Sequence, residues 1–146
     1  MSISTENFYH GAALAKLVSS AEFTVLSRDD SFGRGGYRVN QTIGLFIKYS
    51  THNSSWQFTF QAEHQHSLRE MLRLFPNKTY IALVCGEKGI CLLSYGDYAT
   101  VINENFTTQE SITVDRPPRG CFRVRGSQGE LDHTIPENRY PTDLFS

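Results

Sequence analysis

The run from Tyr37 to Phe60, YRVNQTIGLFIKYSTHNSSWQFTF, constrains this chain more tightly than any other stretch. Its middle, Ile43 to Ser50, is apolar and β-prone apart from one lysine, Lys48. Burying an unpaired ammonium is costly, so Lys48 needs either a partner or a task. Before it, Tyr37–Asn40 reads as a strand joined to Ile43–Ser50 by Gln41-Thr42, few enough residues for a hairpin turn. After it, Thr51 to Ser55 is a polar break. Trp56, Phe58 and Phe60 then alternate with Gln57, Thr59 and Gln61, the pattern of a half-buried strand.

Helical signals flank this block. Ser4-Thr5-Glu6 supplies cap chemistry, and Leu14, Leu17, Val18 and Ala21 recur at helical spacing, which predicts an amphipathic helix over 6–20 with His10 and Lys16 on its other face. Glu22 to Leu26 is strand-like, and Ser27 to Gly36 (SRDDSFGRGG) is a loop. Leu68, Met71, Leu72 and Phe75 predict a second helix over 62–75, stopped by Pro76. Thr79–Cys85 (TYIALVC) is nearly continuous in apolar residues and should lie centrally, covered on both faces. Ile90–Ser94 is its expected hairpin partner. A short helix within 95–103, strands at 110–115 and 121–125, and a tail punctuated by glycine and proline complete the chain.

This pattern predicts one α+β domain over residues 1–146, with a mixed, mostly antiparallel sheet flanked by two main helices. Charged residues make up 20% and hydrophobic ones 39%, which suits a globular core rather than a disordered chain. A formal net charge of −1 excludes a global basic field, so any nucleic-acid contact has to come from a local patch. Cys85, Cys91 and Cys121 are odd in number and lack a CxxC spacing, which argues against a disulfide framework or a structural zinc site. No run approaches the roughly 18 apolar residues that cross a bilayer, so a soluble, cytoplasmic protein is expected, without a membrane partner.

The element order helix, three strands, helix, strand resembles that of the PD-(D/E)XK nuclease superfamily over roughly residues 6 to 94. The resemblance implies a restriction-endonuclease-like core. In that family the second strand brings an aspartate, and the third an acidic residue two positions before a lysine. The carboxylates hold magnesium, which neutralises charge on a phosphodiester, and the lysine positions or activates water. Lys48 falls where the family's lysine stands. Phe46 occupies the position two before it, and the second strand ends in Asn40, so both acids are replaced. The resemblance makes Lys48, Asn40 and Glu63 the catalytic candidates. Asp30 and Glu63 become candidate magnesium ligands, with Glu6 and Asp29 as further carboxylates nearby.

Each candidate also has a plain structural reading. Lys48 can snorkel from a strand edge or pair with a structural acid. Asp29 and Asp30 are ordinary turn residues. Arg34, flanked by glycines, can bind phosphate, and Gly35-Gly36 lets backbone amides approach an anion, although the GK[ST] ending of a P-loop is absent. His64 and His66 do not share a helical face, which disfavours a metal pair. Alternation places Arg123 and Arg125 on one strand face, extended by Arg119, where they can meet phosphates or form a solvated face paired with Glu130 or Asp132. Cys85 and Cys91 read as small core residues, and Ser50 and Ser94 lack a GxSxG frame.

Three functions of different class follow. The first is a nuclease-fold protein that binds or cleaves nucleic acid, with magnesium if it cleaves. The second is a catalytically inactive relative acting on a protein partner, such as a small regulator or inhibitor of microbial or phage origin; the missing acids and near-zero charge favour it over a working enzyme. The third is a small-molecule-binding domain with a pocket under the 31–36 loop.

Overall fold

The computed structural model describes residues 2–52, 54–105 and 108–146. Asn53, inside the expected polar break, lies outside the described residues. Helix α1 spans Thr5–Val18, and the Ser4 hydroxyl caps it by accepting from the Asn7 amide at 3.1 Å. Its buried residues are His10, Ala13 and Leu17, while Val18 is exposed. The apolar stripe is thus rotated from the one read off the sequence, and His10 turns inward. Aromatic neighbours account for this: the His10 ring packs edge-on against Tyr37 and Tyr49, each 6.3 Å away between centroids.

Strands β1 (Leu26–Arg28), β2 (Gly36–Val39) and β3 (Ile43–Ser50) form an antiparallel meander. The chain then makes β4 (Ser55–Gln61) and helix α2 (Ala62–Leu74) and returns as β5 (Thr79–Cys85), parallel to β3. Strand β6 (Ile90–Ser94) closes a hairpin on β5 and leads into the short helix α3 (Tyr95–Val101). The first sheet therefore runs β1-β2-β3-β5-β6, and nearly all residues of β5 are buried.

Strand β4 does not join that sheet. It opens a second, antiparallel sheet with β7 (Gln109–Asp115), β8 (Arg123–Gly126) and β9 (Gly129–Glu130). Local pattern could not separate one sheet from two, because β4 alternates as expected whichever neighbour it pairs with. Its inward residues Trp56, Phe58 and Phe60 meet Ile112, Val114 and Val124 of the second sheet and Phe46, Ile81 and Leu83 of the first in one apolar cluster. Opposite that cluster, α1 covers Leu45, Ile47, Ala82 and Val84. The two faces of β3 thus look into different cores, which explains its unbroken apolar run.

The β2–β3 connection also differs from expectation. The turn contains Asn40, Gln41 and Thr42, with Asn40 and Gln41 at positive φ, and Val39 pairs with Ile43. Phe46 consequently faces Gly36, one residue away from the register that a two-residue turn implies. No helix among the described residues is long and apolar enough to cross a membrane.

Candidate functional site

Strand β2 begins only at Gly36, so the last residues of β3 run on past their antiparallel neighbour. Above this open stretch lies a cleft of about 440 Å³. Lys48 and Phe46 enter it from β3, Glu63, His64 and Ser67 from α2, Glu6 and His10 from α1, and Arg34 from the loop before β2. The loop is held close to the strand. The Ile47 amide donates to the Gly35 carbonyl at 2.9 Å, and a Cβ at Gly35 would stand 2.7 Å from the Ile47 carbonyl oxygen. A Cβ at Gly36 would stand 2.2 Å from the Phe32 Cβ. The paired glycines therefore serve a close approach of backbone to core.

Lys48 is half-buried. Its ammonium lies 5.1 Å from the centre of the Phe60 ring and 3.4 Å from Nδ1 of His64. That nitrogen also accepts from the Gln61 backbone N–H at 3.0 Å, so it carries no hydrogen and Lys48 is the donor in the second contact. Burial pushes the Lys48 pKa down to about 8, with Glu63 opposing the shift. Burial first, then Lys48, lowers the His64 pKa, so its imidazole is neutral at pH 7. Among the described residues no carboxylate reaches Lys48 at ion-pair distance; Glu63 stands 4.0 Å from Nε2 of His64.

Glu6 is held elsewhere. One oxygen accepts from the Arg34 guanidinium at 2.7 Å, and the other lies 3.9 Å from Nε2 of His10. His10 itself is pushed to a lower pKa by burial, against the pull of Glu6. Glu6 and His10 are four apart in the sequence and so share a helical face.

The cleft thus gathers Lys48, Glu63 and Arg34 from the sequence candidates, together with Glu6 and His64. Asn40 stands apart. Its side-chain oxygen accepts from the amide and hydroxyl of Thr24 and from the Val25 amide, and its nitrogen donates to the Glu22 carbonyl. This network fixes the β2–β3 turn and the segment leading into β1. Asp30 is exposed in the first turn of a 3₁₀ helix over Asp30–Phe32, outside the cleft lining. Its neighbour Asp29 caps that turn through Ser31 and accepts from Arg38 at 2.7 and 3.0 Å.

The remaining arginines belong to the second sheet. Arg119 is exposed in the Pro117–Gly120 turn at positive φ rather than on the strand. Arg123 and Arg125 are exposed on β8 while Phe122 and Val124 point inward. Arg125 pairs with Asp115 of the adjacent strand rather than with Glu130 or Asp132.

Magnesium demands near-octahedral oxygen donors and is held by carboxylates. The cleft offers Glu6, already engaged by Arg34, and Glu63, largely exposed, while Phe46 and the Gly36 paired with it carry no side-chain oxygen. Among the described residues no group of three or more His, Cys, Asp or Glu is placed to hold a metal ion. These residues do not fit the ion.

No family model matches the sequence, and no curated protein does. The solved structure of Hjc, a Holliday junction resolvase from the archaeal hyperthermophile Archaeoglobus fulgidus, superposes on this chain with a TM-score of 0.51. The match covers 80% of this chain and 90% of Hjc at 16% identity. The fold is restriction-endonuclease-like. Hjc is a member of the PD-(D/E)XK nuclease fold, so the likeness carries the architecture, while the residues of the cleft are this chain's own.

Proposed function

We propose that this chain is a nucleic-acid-binding protein built on a nuclease fold whose cleavage apparatus is incomplete. The observation that carries this reading is the Lys48 ammonium. It is partly desolvated in an open cleft, directed by His64 and Phe60, with no carboxylate among the described residues at ion-pair distance to neutralise it. A phosphodiester oxygen is the anion that such a site on such a fold would take, and Arg34 on the rim provides a second cation. Because Hjc is a Holliday junction resolvase, branched DNA is the first ligand to try.

Phosphate capture needs only the chain's own groups. Lys48 supplies charge, His64 holds its nitrogen in place, and Phe46 and Phe60 keep water off one side. Cleavage asks for more than these groups provide, since the described residues form no metal donor set that would activate water. The test is fluorescence anisotropy with four-way-junction and linear duplex DNA across a salt series. Binding should weaken steeply with salt, and Lys48→Ala should cost about tenfold in affinity. Absence of binding at low salt would overturn the reading.

A further inference from the structure

Arg34 is the most accessible cation in the cleft, yet it is already occupied. Its side chain is 85% exposed and donates to Glu6 at 2.7 Å, across the gap between α1 and the loop before β2. The backbone immediately after it is pinned by the close approach of Gly35 to β3 and of Gly36 to Phe32. Opening the loop would break those contacts. Swinging the Arg34 side chain breaks only an ion pair.

We propose that Glu6 is a resident stand-in for phosphate: it holds Arg34 across the cleft mouth and is exchanged for a nucleic-acid phosphate on binding. This rests on the cleft being the anion site and adds the residue that sets its affinity. The Arg34–Glu6 pair is exposed and made through a single hydrogen bond, whereas a phosphate can take two parallel ones from the guanidinium, so the exchange runs toward the ligand. Glu6 loses little when released, because it stays in the first turn of α1, where the helix dipole favours a carboxylate, with His10 still near its other oxygen. A competing carboxylate also rejects weakly charged ligands, which must displace it from Arg34.

The test is a double-mutant cycle on four-way-junction DNA at fixed salt. Glu6→Gln should bind about two- to fivefold tighter than the parent, since it removes an exposed ion pair. Glu63→Gln removes a charge from the same cleft without touching Arg34 and gives the general electrostatic gain. Glu6→Asp keeps the charge but shortens its reach, so it should also bind tighter than the parent. The excess gain of Glu6→Gln over Glu63→Gln should vanish in an Arg34→Ala background. If Glu6→Gln gains no more than Glu63→Gln, or keeps its excess without Arg34, the exchange is wrong while the cleft reading stands. If neither the parent nor any variant binds DNA, the cleft reading fails as well.

Discussion

The Lys48 ammonium and Nδ1 of the His64 imidazole sit 3.4 Å apart, and that nitrogen can only accept. It already takes a hydrogen from the Gln61 amide at the start of α2, which leaves the lysine as the proton-bearing partner. One helix terminus therefore aims a strand-borne cation into the cleft. Replacing His64 by Phe would keep the packing against Phe46 but remove the acceptor. His64→Phe should weaken DNA binding while leaving the fold intact, as read by anisotropy beside a far-UV melt; unchanged affinity would show that the imidazole does not direct Lys48.

Lys48 also makes stability depend on pH in a particular direction. Its folded pKa, about 8, lies below the ordinary lysine value of 10.5, so folding disfavours the charged form. Below pH 8 both states carry the proton and the penalty is constant. Between about 8 and 10.5 the unfolded chain binds more protons, so stability rises with pH. Denaturant melts should show this rise, and Lys48→Met should abolish it and stabilise the protein at pH 7 by on the order of 1 kcal/mol. Anion binding runs the other way, since the amine loses its charge as pH passes about 8.

Asp29 stabilises the fold through its charged form, whereas the charged form of Lys48 penalises it, and Asp29 too makes stability rise with pH, over a lower range. Hydrogen bonds from Ser31 and then Arg38 hold its carboxyl down at about 2, and the Arg38 guanidinium lies over the rings of Phe32 and Phe75. A depressed carboxylate stabilises the fold above its unfolded pKa and loses that contribution as pH falls toward about 2. Asp29→Asn should therefore be less stable than the parent at pH 7, with the difference shrinking from about pH 4 down to about pH 2. A gap independent of pH would mean that the charge on Asp29 plays no part.

Gly35 tests whether the cleft rim is rigid. A methyl group there would press on the Ile47 carbonyl oxygen, a backbone atom that cannot move alone. Gly35→Ala should cost about 1–3 kcal/mol by overpacking and should displace Arg34. Both melting temperature and DNA affinity should fall; a loss of stability with unchanged affinity would separate Arg34 from binding.

Magnesium should leave the stability of the protein unchanged. The paired positions Phe46 and Gly36 carry no side-chain oxygen donors, and Glu6 is held by Arg34. Melting curves with millimolar magnesium and with EDTA should coincide. A clear rise with the ion would reveal a site built from groups other than these.

Much of this architecture is legible in the sequence because periodicity is local. The swap from alternating Trp56, Phe58 and Phe60 to helically spaced Leu68 and Met71 marks the β4–α2 junction in the residues themselves. The second sheet is not legible, since partner choice for β4 is a long-range matter of which neighbour buries its inner face. The register departs from the sequence pattern through Asn40, whose amide network supports a positive-φ turn one residue longer than the pattern implies. In the cleft, Lys48 stands out because a charge breaks an apolar run. His10 does not, because its burial depends on Tyr37 and Tyr49, far away in the chain.

The anion site stands or falls most directly on the titration of the Lys48 amine itself, followed by NMR on lysine labelled at the side-chain terminus, with and without four-way-junction DNA. A midpoint near 8 is expected in the free protein, with a marked rise when DNA is bound, because a phosphate favours the charged form. A midpoint at the ordinary lysine value, unmoved by DNA, would contradict both the desolvated cleft lysine and its role in binding.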